Sequence, residues 1–226
     1  MNAVAYFSCT GESKRIAEHI AGVLNFNLYE IREIGEWEID NLVLAFPVHC
    51  QNIPEPVKGF LCRVRIKNLT VLATYGRMCS GNVLYEIGKK YHSNIVAAAY
   101  IPTKHSYLEE KGFSDFDRLA PLIEKIKSPS KVKLPKLYKN PLADLLPVLR
   151  SRIGVKMIMN ENCDGCGMCT DRCNFGGIKN GVINTKCVRC LKCVANCPKG
   201  ALSYRTRLPL KIYLSKKKSN RLIVYT

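Results

Sequence analysis

No run of eighteen or more apolar residues occurs in this 226-residue chain, so a membrane-spanning helix is not expected. No G-x-G-x-x-G follows an apolar strand, so nothing signals a Rossmann-type nicotinamide site, and direct oxidation of NAD(P)H is not expected. No signal peptide precedes the first apolar run, and Cys9, Cys50, Cys62 and Cys79 fit a reducing cytoplasm. Acidic residues are scarce in one half only. Residues 129–226 hold 20 Lys and Arg against 4 Asp and Glu, whereas residues 1–128 hold 15 against 14. The formal charge of +17 therefore belongs almost wholly to the second half. No nucleic-acid motif or basic stripe interleaved with aromatics accompanies it, so nucleic acid is not the expected partner. With 47% apolar residues, the chain can form one ordinary domain and a small metal-stapled one.

Against these absences stand eight cysteines in two runs. Cys163, Cys166, Cys169 and Cys173 form one C-x2-C-x2-C-x3-C, and Cys187, Cys190, Cys193 and Cys197, followed by Pro198, form the other. Three cysteines two apart can wrap one face of an iron–sulfur cube, while the fourth of each run reaches the other cube. The expected sets are interleaved: Cys163, Cys166, Cys169 and Cys197 for one [4Fe-4S] cluster, and Cys187, Cys190, Cys193 and Cys173 for the second. Structural zinc also uses C-x2-C pairs, but zinc sites take four ligands each, and eight thiolates are the complement of two cubane clusters. Disulfides suit neither the spacing nor the expected compartment. Asn174 stands where the usual run has proline, a departure that bears on the potential of one cluster more than on its existence. Low-potential exposed clusters favour surroundings poor in oxygen. The spacing is that of two-cluster bacterial ferredoxins, and it resembles that family. The two clusters add about −4 to this half, leaving roughly +12 to steer an acidic redox partner protein toward it. The run Lys216, Lys217, Lys218 reads as a solvated tail.

The first half alternates short apolar strands with amphipathic helices. Ala3 to Phe7 is a strand that runs into Ser8, Cys9, Thr10, Gly11, Glu12 and Ser13, and then into a helix through about Leu24. A strand, a loop with glycine and hydroxyls, and a helix N-terminus make an anion site, because backbone N–H groups and the helix dipole face the loop. The plainer reading of that loop is an ordinary N-capped helix. Leu42 to Phe46 is a strand ending in Pro47, Val48, His49, Cys50, Gln51 and Asn52, and Thr70 to Tyr75 is another ending in Gly76, Arg77, Met78, Cys79, Ser80 and Gly81. Phe26 to Ile31 and Ile95 to Ile101 supply two more strands, and helices are expected over 54–62, 82–91 and 116–127.

Ser8-x-Thr10-Gly11-x-Ser13 resembles the FMN phosphate loop of the flavodoxin family. That resemblance implies an α/β fold with a doubly wound parallel sheet of order 2-1-3-4-5, with the loops after the third and fourth strands flanking the isoalloxazine ring. It places Ser8 to Ser13, Pro47, Val48, His49, Cys50, Asn52, Tyr75, Gly76, Arg77, Cys79 and Gly81 around FMN. Arg77 near the ring would stabilise an anionic reduced flavin, and Cys50 or Cys79 would be candidate redox thiols, although buried inert cysteines are commoner.

Residues 129–154, with Pro129, Pro135, Pro141 and Pro147, read as a linker that no long helix crosses, carrying a short apolar patch from Leu142 to Leu149 expected to pack. Residues 155–226 read as a small α+β ferredoxin-like domain, with strands at Val155 to Met159 and Ala201 to Tyr204. The combination resembles the flavodoxin–ferredoxin fusions, which implies electron transfer between FMN and two [4Fe-4S] clusters and onward exchange with a redox partner. The alternative is a flavin-dependent reductase of a small molecule, fed by its own ferredoxin domain. A pocket lined by His49, Arg77 or Tyr107 would favour that enzyme. Nothing in the sequence specifies an oligomer.

Overall fold

The computed structural model describes every residue except Ser93 and Leu146, and the backbone alone of Pro147. The chain divides into two compact units, Met1–Asn140 with Lys218–Thr226, and Pro141–Lys217.

In the first unit β1 (Asn2–Tyr6), α1 (Glu12–Leu24), β2 (Asn27–Glu30), β3 (Glu38–Pro47), α2 (Glu55–Arg63), β4 (Arg65–Tyr75), α3 (Val83–Lys90), β5 (Ile95–Pro102) and α4 (Ala120–Lys127) follow in order, with a 3-10 turn at Phe116–Leu119. Every residue of β5 is buried, as are Val4, Val43, Leu44, Val71 and Leu72, so these strands are covered on both faces, and continuous apolar runs replace alternation. The strands stand in the flavodoxin-like order β2-β1-β3-β4-β5, all parallel. Ile16, Ala17 and Ile20 form the buried stripe of α1, and Asn25 ends that helix in the left-handed region at φ 54°. β1 lies between β2 and β3, so the chain reverses its winding there. Ligands of such sheets bind at that reversal, beyond the carboxyl ends of the strands.

A sixth strand completes the sheet. β10 (Ile223–Tyr225) pairs antiparallel with β5, Ile223 opposite Tyr100 and Tyr225 opposite Ala98. It covers an edge that would otherwise present unpaired N–H and C=O groups. Residues 218–226 thus belong to the first unit, where the sequence reading placed them with the second, and residues 129–140 of the expected linker fold with the first unit. Lys218 is no solvated tail: it pairs with Glu110, and Ser219 N–H donates to Arg77 C=O at 2.6 Å.

The second unit contains a 3-10 turn at Pro141–Ala143, then α5 (Pro147–Gly154), β6 (Val155–Met159), α6 (Met168–Asp171), β7 (Ile178–Lys179), β8 (Val182–Ile183), α7 (Lys192–Ala195), β9 (Leu202–Thr206) and α8 (Leu208–Leu214). β6 and β9 form an antiparallel ribbon, and β7 with β8 a short hairpin. Among the described residues of this unit eight apolar side chains are buried: Ala143, Val155, Ile178, Cys187, Leu191, Ala201, Leu202 and Leu214. A core of that size does not hold a unit by burial alone, so something other than packing must stabilise it. Of the expected apolar patch, Leu146 lies outside the described residues, and Leu142 and Leu145 are 61% and 59% exposed rather than packed. Among the described residues no helix is long and apolar enough to cross a membrane.

Candidate functional site

Beyond the carboxyl ends of β1, β3, β4 and β5 lies an open cavity of about 480 Å³, its mouth included. Ser8, Cys9, Thr10, Glu12 and Ser13 line it from the first loop, Pro47, Val48 and His49 from the second, and Thr74, Tyr75 and Gly76 from the third. Gly11 opens α1 at φ 91°, a left-handed backbone that glycine adopts at no cost, and nothing lies within 4 Å of where a Cβ would stand. No side chain caps this helix, so its first N–H groups are left to a ligand or to water. The hydroxyls are less available than the sequence implied. Ser8 Oγ accepts the Gly11 N–H at 3.1 Å, and Ser13 Oγ, 2% exposed, shares a 2.8 Å hydrogen bond with Thr74 Oγ1. Thr10 is the remaining hydroxyl of the loop.

The other predicted residues divide into wall and support. His49 and Asn52 exchange backbone hydrogen bonds at 3.0 and 2.8 Å, with Cys50 and Gln51 between them at φ 50° and 68°. Two successive non-glycine residues at positive φ make a tight turn at a cost that the surroundings must offset. That turn seats against Gly81, where a Cβ would stand 2.6 Å from Gln51 O, so Gly81 is a packing glycine. Cys50, Asn52, Cys79 and Gly81 do not line the cavity. Arg77 is directed elsewhere too: its guanidinium faces Glu110 at 3.6 Å and donates to Lys111 C=O at 2.9 Å. The expectation that it faces a flavin ring is replaced by a role in tying the loops after β4 and β5 together.

One wall escaped the sequence reading. Thr103, Lys104, His105 and Ser106, after β5, also line the cavity, and Lys104 brings to it the one lysine among its lining residues. His105 closes directly on Gly76, where a Cβ would meet its ring at 2.6 Å. No spacing motif marks this loop; the packed glycine is its only trace in the sequence. Burial lowers both His49 and His105 to about 4, so the two imidazoles stay neutral at physiological pH, His105 despite the upward pull of Glu110.

In the second unit the eight thiols separate between two cavities. One, open and of about 390 Å³ with its mouth included, has Cys163, Cys166, Cys169 and Cys197 among its lining residues; the other, of about 360 Å³ on the same measure, has Cys173, Cys187, Cys190 and Cys193. The fourth cysteine of each run thus sits with the other run. The two halves repeat in conformation, each cysteine of the second run lying 24 residues after its counterpart. Gly165 and Gly167 have φ 73° and 77°, and at the same places of the second run Arg189 and Leu191 have φ 58° and 63°. Gly177 N–H donates to Cys173 Sγ at 3.2 Å, and Ala201 N–H to Cys197 Sγ at 3.3 Å. Such N–H groups favour thiolate over thiol. At Cys197 burial pulls upward, yet the backbone donors of Ala201, Lys199, Leu202 and Gly200 carry the thiol below its ordinary range. At Cys193 burial and the neighbouring Cys190 and Cys187 raise the thiol to about 12. Among the described residues, no three His, Cys, Asp or Glu side chains gather where a single metal ion could sit.

No protein-family model matches the chain. Over 69 residues it is 33% identical to an uncharacterised protein of Methanocaldococcus jannaschii, a match that spans 30% of this chain and 28% of that one. Among solved structures it is similar to a short-chain flavodoxin associated with a non-canonical PDU bacterial microcompartment, at 18% identity and TM-score 0.43 over 56% of this chain and 96% of the other. It is also similar to the flavodoxin of Streptococcus pneumoniae TIGR4, at 16% identity and TM-score 0.42 over 56% and 97%. A third is a putative flavoprotein from Bacteroides uniformis, at 18% identity and TM-score 0.39 over 46% and 91%.

Proposed function

We propose that this protein relays electrons between an FMN in the cavity of the first unit, two [4Fe-4S] clusters in the second, and a redox partner protein. The observation that carries the reading is the partition of the eight cysteines into the interleaved sets that two cubes require. In each set the sulfurs surround a cavity. Backbone donors at Cys173 and Cys197 would hold negative charge on two of the ligands. The scarcity of buried apolar side chains supports a cofactor-dependent fold for this unit.

In the first unit, the uncapped N-terminus of α1 and the open side of Gly11 suit a phosphate monoester, with Thr10 adding a hydroxyl. Lys104 would offset part of its charge. The loops holding Val48, His49, Tyr75 and Gly76 would orient the ring and exclude water from one edge. Bound there, FMN would supply exchange of one or two electrons, and each cluster exchange of one. A reductase acting on a small molecule is less well supported: of His49, Arg77 and Tyr107, only His49 lines the cavity. Arg172, Lys179, Lys186, Arg189, Lys192 and Lys199, around the two cysteine runs, would favour a partner with an acidic docking surface.

Anaerobic purification followed by metal, sulfide and flavin analysis tests the reading. The expected content is one FMN and about eight iron per chain, four for each cube. A colourless preparation containing zinc would overturn the cluster assignment, and clusters without flavin would overturn the relay.

A further inference from the structure

Of the eleven large hydrophobic side chains exposed among the described residues, eight belong to the second unit: Leu142, Leu145, Leu149, Ile153, Met159, Val182, Leu208 and Ile212. Most of them share one construction. α5 leads into β6 and α8 follows β9, and because Val155 pairs with Thr206, both helices leave the same end of the ribbon. Arg207 N–H donates to Gly154 C=O at 2.8 Å, and a Cβ on Gly154 would stand 3.1 Å from Leu210 Cβ, so the helices are locked closely together. Leu149 and Ile153 lie one turn apart on α5, at 44% and 49% exposure; Leu208 and Ile212 lie one turn apart on α8, at 68% and 56%. These stripes are aliphatic, and the one aromatic residue of the two helices, Tyr213, is half-buried rather than presented as an anchor of the kind that dominates protein–protein hot spots.

Charge is sorted around the same construction. Residues 141–159 and 202–217 carry Arg150, Arg152, Lys156, Arg205, Arg207, Lys211, Lys216 and Lys217, against Asp144 alone, while the other three acids of the unit, Glu161, Asp164 and Asp171, lie in the first cysteine segment. All these cations except Arg152 are exposed, and among the described residues none of them forms an ion pair. Lys156 stands directly opposite Arg205 in the antiparallel ribbon. Like charges facing each other across strands are unfavourable, so the pair weakens the isolated unit and gains from an anion placed over it. Aliphatic side chains flanked by lysine and arginine match the boundary of a bilayer, where acyl chains lie beneath anionic headgroups.

We propose that the α5/α8 face, with the Lys156 and Arg205 pair, is a docking surface for an anionic lipid bilayer, holding the protein peripherally on a membrane. The proposal does not rest on the electron-relay reading. It is tested by sedimentation of the intact holoprotein with vesicles of phosphatidylcholine alone and of phosphatidylcholine mixed equally with phosphatidylglycerol. Binding to the anionic vesicles and not the neutral ones is expected. It should weaken about 25-fold in K156Q/R205Q, near fivefold per cation removed, and at least about tenfold in L208S/I212S. Hydrogen exchange on the unmodified chain should show vesicle-dependent protection within residues 141–159 and 202–217, which keeps the test independent of how the variants fold. Absence of vesicle binding overturns the proposal. So does binding that ignores L208S/I212S, or that shows no protection in those segments, since either marks attraction of a soluble polyanion or acidic protein to the basic face.

Discussion

Gly177 offers a sharp test of how the second unit holds its cofactors. A Cβ at this position would lie 2.6 Å from Cys187 Cα, 2.8 Å from its nitrogen and 2.9 Å from its Cβ. Ordinary carbon contacts are about 3.5 to 4.0 Å, so Gly177→Ala forces two stretches of backbone apart by roughly 1 Å. No flexible side chain can give way. The same residue donates its N–H to Cys173 Sγ at 3.2 Å, and Cys173 and Cys187 belong to the same cavity. Overpacking costs about 1 to 3 kcal/mol, and the lost hydrogen bond adds about 1 kcal/mol, all at one cage. The other cage, with Cys163, Cys166, Cys169 and Cys197, is not touched by the substitution. Expected, therefore, is the loss of about half of the eight iron atoms, with FMN content unchanged. Iron and sulfide analysis, together with electron paramagnetic resonance of the reduced protein, would read this directly. Gly165→Ala is the control. Its φ of 73° costs the variant about 1 to 2 kcal/mol, but nothing lies within 4 Å of the new methyl, and Arg189 already adopts 58° at the matching place. Full iron in Gly177→Ala, or equal loss from both cages, would refute the pairing of Cys173 with the second run.

Two further outcomes concern the first unit. Ser13 Oγ is committed to Thr74, so Ser13→Ala should lower stability by about 1 kcal/mol and leave FMN affinity nearly unchanged, whereas Thr10→Ala should weaken FMN binding about tenfold or more through loss of a charge-assisted bond. Titration by quenching of flavin fluorescence separates the two, and a larger loss of affinity in Ser13→Ala would contradict the assignment. His49 and His105, each at about 4 in the folded protein, sit below the free histidine value of about 6.5. Between those values the unfolded chain binds more protons, so stability is fully present above pH about 6.5 and declines as the pH falls toward about 4. Each histidine contributes at most about 3.4 kcal/mol of that decline, a ceiling that solvent screening lowers. Thermal melts of the flavin-bound protein, followed by flavin release, should show the slope in the native chain and a flatter one in H49Q/H105Q; equal slopes would exclude these two groups.

What the sequence disclosed, and what it hid, follows from where each constraint resides. β1, β3, β4 and β5 were legible because each carries an uninterrupted apolar run, whereas β2, Asn27–Glu30, has none and was legible only from its place after α1 in the alternation of strands and helices. The extensions of β3 and β4 were not, because they begin with charged residues whose pairing is between strands: Glu38 stands opposite Arg65, with Arg65 Nη1 2.9 Å from Glu38 Oε1. β10 was hidden for a related reason. Three residues after a lysine-rich stretch look like a tail, and only the open edge of β5 makes them a strand. The loop from Thr103 to Ser106 enters the cavity through packing on Gly76, which no local pattern announces. The cysteine sets were legible because ligand geometry imposes spacing along the chain itself. Yet within them the sequence concealed a repeat of conformation: where the first run uses Gly165 and Gly167, the second places Arg189 and Leu191 at similar positive φ. Glycine marks such turns when the backbone alone decides, and Leu191, 5% exposed, shows burial deciding instead. A left-handed leucine is held by its surroundings, so the 24-residue alignment of the two runs predicts the turn better than the identity of the residue that makes it.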